Sequence, residues 1–274
     1  MSEKFLHIEK EEYNVLLHVL KQEFDYDFYE FSPNSFQRRI LRFISKEKIN
    51  VKSLINKLLS ENGYLQYFIN ELTVNVTEFF RDPSMYFVLK NEIFPKWESF
   101  PTVHIWIAGC STGEVVYSLA VLLYENNLLD KCVIYATDIN QNNLNKVKEG
   151  KYPKALLSSY LNQHQYVTNT SNAHDYIQID ENTFTFNQNI KNKIIVAKHN
   201  LVNDESFNEF NLIICRNVFI YFEQKLQNRV LKLFHNSLKS NAYLILGKKE
   251  NIDFSDCLPL YKTLHKKEKI YQKN

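Results

Sequence analysis

Residues 107–119 read I-A-G-C-S-T-G-E-V-V-Y-S-L and hold two of the chain's five glycines. A short apolar run, Val103 to Ile107, leads in, and a helix-like run, Tyr117 to Tyr124, leads out. Strand, tight glycine loop and helix in that order open a nucleotide-binding βα unit. Gly109 and Gly113 let the backbone turn sharply and approach a ligand closely. A helix starting near Glu114 puts a carboxylate where a pyrophosphate would want none, because helix N-termini attract anions. The loop therefore suits a cationic or hydroxyl-rich ligand, and S-adenosylmethionine (SAM) fits better than NAD or ATP. The G-x-x-x-G spacing alone suits an ordinary strand-to-helix turn equally well.

A second landmark supports the functional reading. Val133 to Ala136 is another short apolar strand, ending in Thr137-Asp138-Ile139. In doubly wound folds an acidic residue at the end of the second strand accepts hydrogen bonds from ribose hydroxyls. Asp138 stands at that place, where it could also cap a helix over Asn140 to Lys148.

The composition bounds the class. With 274 residues, 45% hydrophobic and 14% aromatic, the chain has material for one large core or two modest domains. No apolar run approaches the ~20 residues that span a bilayer, and the N-terminus lacks the shape of a signal peptide. A soluble cytoplasmic protein is expected. Cys110, Cys132, Cys215 and Cys257 contain no C-x-x-C pair, which argues against a zinc site and a disulfide framework; no metal is expected. The net charge of +2 hides an asymmetry: residues 1–30 hold three lysines against eight acids, and residues 31–60 hold seven Lys or Arg against one Glu.

Residues 1–72 read as an all-helical domain. Tyr13, Leu16, Leu17 and Leu20 recur at helical spacing, Ser32-Pro33 starts a second helix, and Val51 to Leu59 gives a further apolar-periodic run. The segment N-V-T-E-F-F-R-D, residues 75–82, follows, and residues 84–98 read as a helix. Beyond Asp138 and its helix, Gly150-Lys151-Tyr152-Pro153 reads as a break. Tyr176 to Phe186 alternates apolar and polar residues around Asp180 to Thr183, as a hairpin does. Strands are expected at Ile194 to Ala197, Phe210 to Cys215 and Ala242 to Leu246, with a helix from Gln224 to Leu238. Weaker strands at Leu258 to Lys262 and Lys269 to Gln272 would close the sheet.

Together, N-V-T-E-F-F-R-D at 75–82, A-G-C-S-T-G-E at 108–114, A-T-D-I at 136–139, H-N-L at 199–201 and C-R-N-V-F-I-Y-F at 215–222 resemble the chemotaxis receptor methyltransferases (CheR). Their order and spacing fit along almost the whole chain. The resemblance implies a helical N-terminal docking domain, residues 1–72. It is joined to a Rossmann-like, class I SAM-dependent methyltransferase domain, residues 73–274, with an inserted antiparallel β-subdomain at about 155–193. It implies methyl transfer from SAM to glutamate side chains on the cytoplasmic helices of chemoreceptors, leaving S-adenosylhomocysteine. By position, Asn75, Thr77, Arg81, Glu114, Asp138, Asn200, Leu201, Arg216 and Asn217 would contact SAM, and Arg81 and Tyr221 are the catalytic candidates. The chain departs from the family at Val115-Val116, where a carboxylate and a proline are usual, at Asn241-Ala242, and at Lys248-Lys249.

The expected partner is a chemoreceptor-like helical protein with acidic methylation sites, met by a monomer that neither binds nucleic acid nor enters a membrane. Two rivals are a non-catalytic SAM-binding regulatory module and a nucleic-acid methyltransferase. Against the latter, Arg216-Asn217-Val218-Phe219 stands where base methylases carry an Asn/Asp-Pro-Pro-aromatic loop. Along the helix from Pro33 to Lys46, with Arg38 at zero, Arg42 falls at about 40°, Lys46 at about 80° and Arg39 at about 100°. These four form one basic arc expected to dock an acidic substrate helix.

Overall fold

The computed structural model describes residues 8–73 and 77–274. Four helices come first: α1 (Lys10–Phe24), α2 (Pro33–Glu47), α3 (Val51–Ser60) and α4 (Tyr64–Leu72). Helix α1 buries Tyr13, Leu16, Leu17 and Leu20, one stripe at 3.6-residue spacing. Helix α2 opens on a proline, whose missing N–H costs nothing there, and buries Phe36, Ile40, Phe43 and Ile44. The Asn50 side chain caps α3 by accepting from Ser53 N at 2.8 Å. These stripes meet in one apolar cluster running from Ile8 to Leu72.

The next helix, α5 (Pro83–Val88), continues through a wider turn at Leu89–Ile93 and a tighter one at Phe94–Trp97. The strands and helices that follow are β1 (Val103–Ala108), α6 (Glu114–Glu125), β2 (Cys132–Asp138), α7 (Gln141–Glu149), β3 (Lys151–Pro153), α8 (Leu157–Thr168), β4 (Ile177–Ile179), β5 (Thr183–Phe186), the single turn α9 (Gln188–Lys191), β6 (Ile194–Lys198), β7 (Phe210–Cys215), α10 (Gln224–Ser237), β8 (Leu238–Leu246), β9 (Tyr261–His265) and β10 (Ile270–Lys273). A seven-stranded sheet has the order β6-β2-β1-β7-β8-β10-β9. Its first five strands are parallel, and β10 pairs antiparallel with β8 and β9. Strand β7 is buried throughout, because both faces are covered. The two-residue period sorts β1: Val103, Ile105 and Ile107 join the cluster under α6, while Trp106 and Ala108 join the one under α10.

A three-stranded sheet, β3-β5-β4, forms the small subdomain. The hairpin expected at Tyr176 to Phe186 is β4 and β5. Lys151–Pro153, which reads as a break, is instead the third strand, with Lys151 opposite Thr185 and Pro153 opposite Thr183. Gly150 ends α7 in the left-handed region (φ 60°), and Pro153 is tolerated because β3 is an edge strand. The subdomain therefore begins before residue 155 and includes α8. Strand β9 lies three residues later than expected, since Leu258–Leu260 around Pro259 forms a 3-10 turn. Strand β8 begins earlier, at Leu238, across the Asn241-Ala242 departure. No helix among the described residues is long and apolar enough to cross a membrane.

Candidate functional site

A cavity of about 270 Å³ opens at the carboxyl ends of β1, β2 and β7. Strand order reverses between β1 and β7, so their ends splay into a crevice where open α/β sheets bind ligands. The loop after β1 forms one wall. Gly113 sits at φ 96°, and an added Cβ would meet the Tyr152 hydroxyl at 2.8 Å and Val147 at 2.9 Å, so the turn has no room for a side chain. Cys110 N donates to Thr137 O at 2.9 Å, tying this loop to the end of β2.

Asp138 joins both strand ends. One carboxylate oxygen accepts from Ser111 N at 2.8 Å; the other accepts from Asn140 N at 2.9 Å and from the Asn143 amide at 3.4 Å. Burial pushes its pKa up, and the backbone N–H bonds from Asn140 and Ser111 oppose the shift. It lines the cavity beside Ser111 and His199. The buried Ser111 hydroxyl and His199 Nδ1 have no hydrogen-bond partner among the described residues. Their polar capacity, with the Asp138 carboxylate, fits a ligand rich in hydroxyls.

Opposite lie Thr77, Arg81, Arg216, Asn217 and Tyr221. Two rings of the 75–82 segment anchor it: Phe79 packs on Tyr152 and Tyr160, and Phe80 packs on Tyr86 while its N–H donates to Ser118 Oγ at 2.8 Å. Arg216 donates to Arg81 O at 2.9 Å and is ion-paired with Asp82, so its charge braces the segment from inside. Lys248 reaches the same Asp82 at 3.4 Å and Glu268 at 3.6 Å. The Lys248 departure thus has a structural use away from the cavity wall, whereas Val115, another departure, lines the cavity.

The N-terminal helices supply the roof, which the sequence does not announce. Phe28, Phe31, Phe36, Ile69, Leu72 and Thr73 all line the cavity. Phe31 bridges Phe222 antiparallel, Ser32 N donates to Tyr221 O and Glu223 N to Glu30 O, each at 2.9 Å.

Most of the expected contact residues come together here: Thr77, Arg81, Asp138, Asn200, Leu201, Arg216, Asn217 and Tyr221 line one cavity. Asn75 lies outside the described residues. Glu114 does not reach the wall; it is 5% exposed and accepts from the Thr112 hydroxyl at 2.6 Å. Burial raises its pKa, and the hydrogen bond from the Thr112 hydroxyl opposes the shift. The basic arc also needs correction. Arg38, Arg42 and Lys46 are exposed, but Arg39 turns into the cavity, stacks over the Tyr221 ring at 4.1 Å and donates to Leu72 O at 2.9 Å. It lies at the edge of the arc, where packing against β7's following loop decides its direction. Lys46 is paired with Glu71 at 2.9 Å. The four cysteines are free and buried, and burial raises the pKa of Cys110, Cys132 and Cys215, which disfavours the thiolate at these three.

A family model described as "CheR methyltransferase, SAM binding domain" matches residues 75–266. The chain is 35% identical over 264 residues to a putative methyltransferase, Cher3, of Pseudomonas putida, covering 96% of this chain and 97% of that one. It is 31% identical to a chemotaxis protein methyltransferase of Borreliella burgdorferi, covering 90% of each. It is 27% identical to one of Listeria monocytogenes, covering 89% of this chain and 91% of that one.

Proposed function

The chain belongs to the CheR methyltransferase family, SAM-dependent methyltransferases of chemotaxis, and on that premise we propose that it esterifies glutamate side chains on the cytoplasmic helices of chemoreceptors. The observation that carries this reading is the convergence of a nucleoside crevice around Asp138 with Arg39, Arg81 and Tyr221 on one cavity. Residues 1–72 dock the receptor helix, residues 73–274 carry out transfer, and the protein works in the cytoplasm as a monomer.

When bound, SAM supplies a methyl group activated by its sulfonium. Asp138, Asn200, Leu201 and Asn217 would hold it, with Thr77 and, by motif position, Asn75 from the preceding segment. The acceptor glutamate, with a pKa of about 4.3, is already ionised at neutral pH and needs no general base. The chain's task is alignment, which removes entropy before the chemical step. Arg81 attracts the acceptor carboxylate, and Tyr221 orients it by donating a hydrogen bond. The apolar roof of Phe28, Phe31 and Phe36 keeps water from the transferring methyl. The test is transfer of labelled methyl from SAM to receptor cytoplasmic helices, with the modified residue identified; label on glutamate supports the reading, and label on lysine or nucleic acid overturns it.

A pH dependence follows from Asp138. A carboxyl group accepts from ribose hydroxyls more strongly when ionised, and burial raises this one above the ordinary aspartate value of 3.8. On acidification Asp138 therefore takes up its proton early, and SAM affinity falls while the pH is still above that value. Folding stability responds with the opposite sign. An acid whose pKa is raised in the folded state binds protons more tightly there, so its contribution to stability grows as pH falls from the raised value to the ordinary one. Calorimetry in acidifying buffers is expected to show falling SAM affinity in the wild type and a flat, weak response in Asp138→Asn. Parallel pH responses in the two proteins would remove Asp138 as the titrating group.

A further inference from the structure

Glu250 belongs to none of the motifs above and does not line the cavity, yet its carboxylate is bonded to the loop that does. Gly247 to Glu250 form a turn closed by Glu250 N donating to Gly247 O at 2.8 Å, and the carboxylate folds back under it. Its Oε2 accepts from Gly247 N at 2.6 Å and from Asn217 N at 2.9 Å, while Oε1 accepts from Ile220 N at 3.4 Å. Glycine suits position 247, because a Cβ there would stand 2.9 Å from the backbone N of Asn217 and 2.6 Å from Glu250 Oε2. The ends of β7 and β8 are thereby fastened to one side chain.

The residue is 3% exposed, and the hydrogen-bond partners of its carboxylate among the described residues are backbone N–H groups. Burying a carboxylate without a countercharge is costly, and backbone N–H groups are what offset that cost here. Burial pushes its pKa up, as those conditions require. What the bonds fix is the backbone from Asn217 to Tyr221. Asn217 adopts a left-handed conformation (φ 61°), which asparagine tolerates better than most side chains, and its N–H is held by the Glu250 carboxylate. Asn217, Val218, Ile220 and Tyr221 all face the cavity.

We propose that Glu250 is a positioning residue for Tyr221, its carboxylate holding the Arg216–Tyr221 loop in the one form that presents the phenol to the acceptor carboxylate. The inference rests on the role given to Tyr221 above. Its parts separate in Glu250→Gln. One side-chain oxygen can keep the bonds to Gly247 and Asn217, and the amide NH₂ then faces the Ile220 N–H, donor against donor. The Asn217 end of the loop is retained, and the turn carrying Tyr221 is pushed out of place. Removing a buried, unpaired charge keeps the fold, so melting close to the wild-type temperature is expected.

The experiment compares receptor methylation and SAM binding in wild type, Glu250→Gln, Tyr221→Phe and the double variant. Glu250→Gln is expected to lower kcat by on the order of 30- to 100-fold, the scale of a group misplaced by about 1 Å. The KM for receptor and the affinity for SAM stay near wild type. In the Tyr221→Phe background the same substitution is expected to cost less than about threefold, because the group it positions is already gone. Wild-type kcat in Glu250→Gln, an equal loss in both backgrounds, or loss of SAM binding would each overturn the proposal. A wild-type protein that fails to esterify receptor overturns the functional reading itself, and that result is in hand before either variant is compared.

Discussion

Asp138→Ala is expected to weaken SAM binding by on the order of 100-fold or more, about 3 kcal/mol. Two losses combine. The first is the charged acceptor offered to the ligand's hydroxyls, and bonds to a charged group are worth about 1.5–3 kcal/mol. The second is internal: the carboxylate holds Ser111 N and Asn140 N on its two oxygens, and alanine leaves both donors unsatisfied at the mouth of the cavity. The Gly109–Gly113 loop loses its tie to β2 through Ser111, so the wall loosens as well. Calorimetry with SAM and with S-adenosylhomocysteine measures the effect. Unchanged affinity for both would remove Asp138 from the site.

The second large effect concerns the receptor and not the cofactor. Arg38 and Arg42 are exposed on α2, while Arg39 is committed to Tyr221 and Leu72 O, and Lys46 to Glu71. The clean charge reversal is therefore Arg38→Glu with Arg42→Glu, leaving the cavity intact. At low salt it is expected to lower kcat/KM for an acidic receptor helix by on the order of 10- to 1000-fold, through slower encounter and poorer register. The dependence on salt should weaken, since the screened attraction is gone. SAM affinity and melting temperature should be unchanged. Wild-type methylation by this variant at low salt would mean that α2 is not the docking surface.

The legible parts of this molecule are those whose signals are local. The β1 loop, Asp138 and the β7 loop each lie within a few residues of a strand end, and spacing alone places them on one edge of a parallel sheet. Arg39 is different. A helical wheel sets it about 100° from Arg38, at the edge of the basic arc, and only the approach of Tyr221 decides that it faces the crevice. Lys151–Pro153 is flanked by the residues that usually end elements, and its pairing partner Thr183–Phe186 lies some thirty positions away. Glu250 carries no local signal; after Lys248 and Lys249 it reads as one more surface charge, and its N–H donors come from two separated segments. The aromatic residues Phe28, Phe31 and Phe36 read as core of the helical region, and their second role as a roof depends on the pairing of Phe31 with Phe222. Glu114 is a different case: its motif position suggests contact with the ligand, while its carboxylate accepts from the Thr112 hydroxyl and the neighbouring Val115 lines the wall.

The central claim is that the acceptor is a carboxylate, and the stability of the product bond tests it most directly. Receptor cytoplasmic helices labelled by this protein with methyl-labelled SAM should release the label as methanol under mild alkali, as glutamyl esters do. Label that survives alkali, as on a methylated amine or a methylated base, would contradict the account.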